Sequence, residues 1–363
     1  MQTLRLHVNP GCLDESQSQS ALDQAAAILR RGGTVALPTE TVYGLGANAF
    51  DPEAVEAIFE AKQRPHWDPL IVHICDEQML TTLVIELPAS AQSLIDAFWP
   101  GPLTLLLPRS TAVPDAVTAG RPLVGVRMPA HPVAQELIRR AGVPIAAPSA
   151  NRFGHTSPTT AAHVLDDLDG RIDAVLDAGS TSFGLESTVL DPNTSAPNSS
   201  PMIVYRPGAV TLDQIRAIAG PVEFYKEDAT VASKPPEALP SPGVGLRHYA
   251  PNARLILLEL DDALDLSLAA LEFRVSKQAL TLSRERVGLM LPAEVMAMSF
   301  SPGNGIAAVF PWGSWSNPEE LAHRLFAGLR HLDSLGCTVI LCPVPPGQGI
   351  GVAIRDRLRK AAT

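Results

Sequence analysis

The chain has 363 residues, of which 46% are apolar and 18% charged, and its formal net charge is −10. At roughly 100–200 residues per domain, this length predicts two globular domains. The acidic balance argues against a protein whose main task is to grip nucleic-acid phosphates, because such proteins usually carry a basic excess. No apolar run reaches the ~18 residues of a membrane helix, and the N-terminus does not resemble a secretory signal.

The cysteines are scattered and form no CxxC pair, so the sequence predicts neither a zinc site nor a disulfide framework. They are Cys12, Cys75, Cys337 and Cys342. We expect reduced, mostly buried thiols in a cytoplasmic protein that does not associate with a membrane.

The first predicted element is a helix, capped by Ser20 and ended by two glycines after residue 31. The run "TVAL" predicts a strand that leads into a loop, "PTETVYGLG" (38–46). Asp51 as N-cap and Pro52 at the first position predict a second helix, which ends near Lys62.

Strands and helices then follow without strict alternation. Strands are predicted at 70–74, 103–107, 123–128, 144–147, 187–191 and 202–206, and helices at 131–142, at 157–168 with Pro158 in the first turn, and at 211–220. This order favours an α/β domain with an open, twisted, mixed sheet over residues 1–220.

Residues 221–252 are rich in Pro and Gly and have little periodicity, which is typical of a linker. Residues 253–363 alternate between strand and helix patterns and predict a small, Rossmann-like parallel α/β domain. The chain has no Walker phosphate loop, and the C-terminal domain has no GxGxxG, so we assign it no dinucleotide.

The loop at 38–46 carries the densest group of hydrogen-bonding side chains, Thr39, Glu40 and Thr41, followed by Tyr43-Gly44-Leu45-Gly46. A GxG alone is weak support for phosphate binding. On residue types alone, the loop fits a ligand site and an ordinary polar turn equally well.

Four charged or titratable residues each have a structural and a functional interpretation. Lys62 and Arg64 lie at a helix end, where they either favour the helix dipole or face a ligand. His73 and Arg127 lie in otherwise apolar strands. A buried guanidinium must be met by an anion, either a structural carboxylate or a ligand carboxylate.

Polar groups also follow other predicted strands: "APSANRFGHTSP", "GLESTVLD" and "YRPGAV" supply hydroxyls, an amide and Arg206, and the helix N-terminus at Pro158 offers an anion site. No nucleophile–base pair, GxSxG or HExxH is present. Such an inventory suits a reaction that depends on positioning and charge stabilisation, as nucleotidyl transfer does.

Seven motifs occur in the order seen in the YrdC/Sua5 family, which the chain resembles over nearly its whole length. They are "LPTETVYGLGANAF", "AKQRPHWDPLIVHI", "WPGPLTLLL", "GVRMPAHPVA", "APSANRFGHTSPTTAAHV", "GLESTVLD" and "YRPGAV", and "SPGVGLRHYAP" before a small α/β domain resembles the longer Sua5 type. The resemblance implies an open sheet with a concave cavity. It also implies that L-threonine, bicarbonate and ATP, with Mg²⁺, give threonylcarbamoyl-AMP and pyrophosphate. A tRNA threonylcarbamoyl-transferase complex would then use this product to modify adenosine 37 of tRNA.

The resemblance also implies roles for particular residues. Those near L-threonine would be Thr39, His73, Arg127, Ala147 and Ser187. Those near ATP or the adenylate would be Lys62, Arg64, Asp68, Leu123, Ser149, Asn151, Ser157 and Arg206, with His248 and Tyr249 closing the cavity. Lys62 and Arg64 would be the catalytic cations, and Leu123 and Ala147 would supply only backbone groups or packing.

Two other functions stay open. Shorter relatives of the family suggest an RNA-binding module, which the net charge of −10 disfavours, so direct tRNA binding is expected to be weak or absent. A regulator that hydrolyses ATP without forming an adenylate is the other alternative.

Overall fold

A computed structural model describes residues 2–192, 201–226, 241, 249–259, 268–282, 284–296 and 306–362. The chain forms two compact units. The first consists of Met1–Phe153, Pro158–Ser182 and Glu186–Gly245, and the second of Gly154–Ser157, Phe183–Leu185 and Leu246–Thr363. Most of the predicted linker, 227–240 and 242–248, lies outside the described residues, so its limits stay a prediction.

The first unit contains eleven strands and eight helices among its described residues. In chain order they are β1 (Leu4–His7), α1 (Ser16–Arg30), β2 (Val35–Pro38), β3 (Tyr43–Asn48), α2 (Pro52–Lys62), β4 (Ile71–His73), α3 (Glu77–Leu83), α4 (Ala89–Phe98), β5 (Leu103–Pro108), α5 (Asp115–Thr118), β6 (Leu123–Arg127), α6 (Pro132–Ala141), β7 (Ile145–Ala146), α7 (Ala161–Leu168), β8 (Ala174–Asp177), β9 (Thr188–Asp191), β10 (Met202–Arg206), α8 (Leu212–Ala219) and β11 (Val222–Phe224).

These strands form one mixed sheet in the order β1-β8-β2-β3-β7-β4-β6-β5-β9-β10-β11. The sheet contains both parallel pairs, such as β4 with β6, and antiparallel pairs, such as β5 with β6. The prediction of an α/β domain with a twisted mixed sheet is confirmed.

One face of this sheet packs a large apolar core along its whole width. Residues from α2, α4, α7 and α8 meet alternate strand residues there, including Val72, Val126 and Leu105. On the other face, α1 and α6 cover the strands from β8 to β7. Beyond β7, that second face holds a small cluster whose members all come from strands: Ile71, Leu106 and Val189, with Leu123 and Tyr205 against them. We call this part of the second face the site face.

Strand β3 corrects a prediction, because the sequence predicts loop at Tyr43–Gly46. The residues instead pair antiparallel with β2, and the hairpin turn is Thr39–Val42. The glycines serve close packing. A Cβ on Gly46 would lie 2.7 Å from a methyl group of Ile145 and 2.8 Å from one of Leu37.

Two helix starts were also predicted wrongly. Helix α1 begins at Ser16, after Glu15, so Ser20 is not its cap. Helix α7 begins at Ala161, capped by the Thr160 hydroxyl, so no helix N-terminus lies at Pro158. Helix α2 was predicted correctly: Asp51 accepts hydrogen bonds from Glu53 and Ala54, Pro52 is the first residue, and Lys62 the last.

The second unit contains a parallel sheet in the order β12-β15-β13-β14. Its elements are β12 (Arg254–Leu258), α9 (Leu268–Thr281), β13 (Val287–Pro292), α10 (Ala293–Met296), β14 (Ile306–Gly313), α11 (Pro318–Ser334), β15 (Val339–Pro343) and α12 (Gly351–Ala361). A small parallel α/β domain is thereby confirmed. Helix α11 buries an apolar stripe of four leucines: Leu321, Leu325, Leu329 and Leu332.

Two predictions from composition can be compared with the described residues. All four cysteines are free thiols, and three of them are buried while Cys12 is exposed. None of the described helices combines the length and the apolar character that a bilayer crossing demands.

Candidate functional site

Arg127 ends β6 on the site face and is 3% exposed. Its Nη2 lies 2.5 Å from Oε1 of Glu40, which is 4% exposed. Nη1 donates to Oγ1 of Thr41 at 2.9 Å, and Nε donates to the carbonyl of Gly101 at 3.1 Å. A structural carboxylate therefore meets the buried guanidinium in this structure. A guanidinium has five N–H groups, so two remain for a ligand.

Thr39 is tied to the same cluster through the β2–β3 turn. Its Oγ1 lies 2.8 Å from Oγ1 of Thr41 and donates to the carbonyl of Val42 at 2.7 Å. The turn is thus fixed by its own side chain, and it presents two hydroxyls and one carboxylate beside Arg127.

His73 ends β4 and is the register partner of Arg127 in the parallel pair β4–β6. Burial, together with the nearby Arg127 charge, lowers the pKa of His73 to about 3. The imidazole is therefore neutral near pH 7, and it can bind a ligand hydroxyl without adding charge.

Ser187 precedes β9 and lies in a second hydrogen-bonded group. Its Oγ is 2.8 Å from Oγ1 of Thr104, and it accepts a hydrogen bond from Nη2 of Arg206 at 3.0 Å. Nε of Arg206 donates to the Ser187 carbonyl at 3.0 Å, and the Arg206 charge also contributes to lowering the pKa of His73. Arg206 thus holds Ser187 by two hydrogen bonds and contributes a positive charge near His73.

Side-chain alternation explains why these groups share one face. In a strand, residues two apart point to the same side. Ile71 and His73 alternate with the core residue Val72, and Thr104 and Leu106 alternate with Leu105. The site face thus carries a polar row (Thr104, Arg127, His73, Ser187) beside an apolar row (Leu106, Ile71, Val189, Leu123).

Lys62, the last residue of α2, is 1% exposed and points into the loop after β7. Its Nζ donates to the carbonyls of Ser149, at 2.6 Å, and Asn151. Burial and the Arg64 charge hold the pKa of Lys62 well below its usual range. The amine thus fixes the shape of the "SAN" loop.

Arg64 follows α2 and is held mostly by its own loop. Its Nη2 lies 2.9 Å from Oδ2 of Asp68 and 2.8 Å from the carbonyl of Pro69, and Nε donates to the Asp68 carbonyl at 3.1 Å. These bonds fix the entry into β4, on which His73 lies.

The other predicted residues differ in their surroundings. The Ala147 amide donates to the Ile71 carbonyl at 2.8 Å, which ties the end of β7 to the start of β4. Ser149 bridges to Gly44 of β3, and Asn151 is buried. Leu123 is partly buried against the apolar row.

Three predicted nucleotide residues cannot be placed with those. Ser157 is buried and belongs to the second unit. So does Tyr249, whose ring stacks on Phe326 at 5.7 Å and lies beneath Arg357 at 5.0 Å. His248 lies outside the described residues.

The sequence did not single out Thr104 or Gly208. Thr104 is the one hydroxyl in an apolar strand, which is the same signal that identified Arg127 and His73. Gly208 lets the turn after β10 approach Ser187, because a Cβ there would lie 2.3 Å from the Thr188 amide nitrogen.

Comparison with known proteins gives a family match for both parts of the chain. Residues 27–208 match the Sua5/YciO/YrdC family, described as "Telomere recombination", and residues 210–363 match "Threonylcarbamoyl-AMP synthase, C-terminal domain". The chain belongs to the YrdC/Sua5 family. Within the family, it is 41% identical over 339 residues to the threonylcarbamoyl-AMP synthase of Pyrococcus abyssi, covering 93% of each chain. It is 42% identical over 348 residues to that of Bacillus subtilis, covering 96% of this chain and 94% of the relative.

A solved structure of the same family extends the likeness to three dimensions. P. abyssi Sua5 complexed with L-threonine matches with a TM-score of 0.84 and 40% identity, covering 99% of this chain and 98% of that one. The predicted family and fold are therefore confirmed.

Proposed function

We propose that this chain is an L-threonylcarbamoyladenylate synthase, which makes threonylcarbamoyl-AMP and pyrophosphate from L-threonine, bicarbonate and ATP. The observation that carries the proposal is the polar row of the site face, where buried Arg127 lies among the Thr39 and Thr41 hydroxyls and neutral His73. The names of the similar proteins support the same reaction.

The polar row suits a small amino acid. Arg127 would bind the threonine carboxylate through its remaining N–H groups, since a guanidinium matches a carboxylate in geometry. Thr39, His73 and Ser187 would lie around the threonine hydroxyl, and the end of β7 at Ala147 would limit the space.

The chemical step needs little from the protein beyond position and charge. Threonine's ammonium loses a proton to solvent, and the free amine attacks CO₂ that bicarbonate releases together with hydroxide. The C–N bond forms, the second amine proton neutralises the hydroxide to water, and an anionic carbamate remains. A carbamate oxygen then attacks the α-phosphorus in line, a new P–O bond forms, and the bond to pyrophosphate breaks. No strong protein base is required at this second step.

The ATP side would lie along Lys62, Arg64, Asp68, Leu123, Ser149, Asn151 and Arg206, which all belong to the first unit. Arg206 would link the two substrates, and its hydrogen bond to Ser187 supports this role. Lys62 and Arg64 would reduce the cost of negative charge on the leaving pyrophosphate.

Magnesium would enter with ATP, carried by its phosphate oxygens. Two buried carboxylates of the first unit, Asp68 and Glu40, are each ion-paired with an arginine. Mg²⁺ in such sites keeps several waters and takes few protein ligands. It would supply charge neutralisation at the phosphates.

The product is a labile mixed anhydride, so a partner must take it up soon after it forms. We infer a tRNA threonylcarbamoyl-transferase complex as that partner, which places the enzyme in the cytoplasm where tRNAs are modified. The net charge of −10 still disfavours tight binding of tRNA by this chain itself.

Pyrophosphate release tests the proposal. With purified protein, MgATP, L-threonine and bicarbonate, we expect release that requires both threonine and bicarbonate, together with the adenylate by mass spectrometry. Release without threonine would favour the ATP-hydrolysing regulator. Tight tRNA binding in a filter assay at physiological salt, without adenylate formation, would favour the RNA-binding module.

A further inference from the structure

Glu40 is a buried carboxylate that has no role in the proposed reaction as described so far. It lies in the β2–β3 turn between Thr39 and Thr41, and its side chain contacts Nη2 of Arg127. Among the described residues, neither Glu40 side-chain oxygen receives a hydrogen bond of acceptable geometry, so the ion contact with Arg127 is its main compensation. A buried carboxylate normally accepts several hydrogen bonds, because an unsatisfied one is costly.

The titratable groups near Glu40 come from β4, β6 and the start of α6. They are Arg127 from β6 and His131, the N-cap residue of α6, with His73 beside Arg127. Burial lowers the pKa of His131, although the Glu40 charge opposes this shift, so near pH 7 the imidazole is neutral. Arg127 is therefore the cation next to Glu40.

Together, Arg127 and Glu40 form a neutral, buried pair of opposite charges. A ligand with one net charge would unbalance the pair and pay a large desolvation cost. A zwitterion adds no net charge, so it can meet both partners at once. An amino acid carries its ammonium and carboxylate on one carbon, which suits two receptor groups that touch each other.

We propose that Glu40 binds the α-ammonium of the amino-acid substrate while Arg127 binds its carboxylate, so that the pair selects zwitterions. The inference rests on the proposed function, because it concerns the threonine site. Glu40 is a positioning residue: it holds the nitrogen that later becomes the carbamate nitrogen. A carboxylic acid without the amine gains nothing from Glu40 and competes with it for Arg127.

The test compares two ligands that differ only in the amine. Binding of L-threonine and of 3-hydroxybutanoate is measured by calorimetry with wild type, Glu40→Gln, Glu40→Asp and Glu136→Gln. Glu136 is the matched control, because it pairs with Arg139 and Arg140 on α6. Thermal melting of each variant establishes that it is folded.

We expect Glu40→Gln to weaken threonine binding roughly tenfold or more, the range for loss of a hydrogen bond to a charged group. Binding of 3-hydroxybutanoate should stay equal or tighten, because Arg127 is released. Glu40→Asp should restore part of the preference for threonine, and Glu136→Gln should change neither affinity. In turnover, KM for threonine should rise more than kcat falls.

Equal losses for both ligands in Glu40→Gln would overturn the inference and leave Glu40 as a support for Arg127 alone. If Glu40→Gln is unfolded, the ratio of the two affinities in Glu40→Asp decides: a ratio equal to that of wild type contradicts the inference. The outcome is separate from the proposed function. A wild type that makes the adenylate while Glu40→Gln keeps its preference for threonine refutes only the role of Glu40.

Discussion

Arg64–Asp68 and Arg127–Glu40 are buried arginine–carboxylate pairs of the first unit, and they differ in what they connect. Arg64 and Asp68 are four residues apart, and Arg64 also binds two carbonyls of its own loop. Arg127 and Glu40 come from β6 and the β2–β3 turn, so their contact exists only once the sheet is assembled. The local pair shapes a loop, whereas the long-range pair joins β6 to the β2–β3 turn on the site face. Burial alone therefore does not identify a binding arginine.

The largest expected effect follows the loss of Arg127. Arg127→Ala should lower kcat/KM for threonine by at least about 100-fold, the range for removing a key charge-stabilising donor. It should also destabilise the fold by roughly 3–5 kcal/mol, because Glu40 is left buried without its cation. Steady-state kinetics and urea unfolding measure the two effects.

A double variant, Arg127→Gln with Glu40→Gln, separates these effects. The free energy of unfolding of the double variant should return close to the wild-type value, since no buried charge is left unpaired. Its activity should stay as low as that of Arg127→Ala. If activity recovers together with stability, the Arg127–Glu40 pair has only a structural role.

The second effect tests the local pair in the same manner. Arg64→Ala should cut turnover sharply and destabilise the loop before β4, again by roughly 3–5 kcal/mol. Combining it with Asp68→Ala should restore part of the stability. If Arg64 also contacts ATP, KM for ATP stays high in the double variant. A normal KM for ATP there would assign Arg64 to the fold alone.

The third effect is steric and affects Ser187 without changing any charge. Gly208→Ala would place a Cβ 2.3 Å from the Thr188 nitrogen and 2.5 Å from the Ser187 carbonyl carbon, so the segment must shift. Since a small misplacement in a site costs up to about 100-fold, we expect a loss of roughly 10–100-fold in kcat/KM. Gly11→Ala is the control, because its Cβ would make only an ordinary contact at 3.5 Å. Equal activity of both variants would contradict a role for Ser187.

The last expected effect concerns His73 and the dependence of stability on pH. The folded-state pKa of about 3 lies below the ordinary 6.5, so between these values the unfolded chain binds more protons. Stability contributed by neutral His73 is thus complete above pH 6.5 and is lost as the pH falls toward 3. Between pH 6.5 and pH 3, the free energy of unfolding of His73→Gln should fall by roughly 2–5 kcal/mol less than that of wild type. Urea unfolding at several pH values measures this difference.

His66, which is exposed, provides the matched control for that experiment. His66→Gln should follow the wild-type curve. Identical acid sensitivity of His73→Gln and wild type would mean that the imidazole is not held neutral by its surroundings.

The sequence predicted most elements and the residues that end strands, because apolar periodicity and caps are local signals. Helix α2 illustrates this, with Asp51, Pro52 and Lys62 where they were expected. Strand β3 was missed because glycines usually mark loops, and only the neighbouring side chains of Leu37 and Ile145 explain Gly46. The sequence also could not identify the carboxylate that pairs with Arg127. Glu40 lies far from Arg127 in the chain, and no local signal shows that β6 and the β2–β3 turn are in contact.

A crystal structure of this chain with L-threonine tests the central claim most directly. The account predicts the threonine carboxylate within hydrogen-bond distance of Arg127, its ammonium on Glu40, and its hydroxyl near Thr39, His73 or Ser187. Threonine bound beside Arg64 and Asp68, or bound with its ammonium away from Glu40, would contradict it.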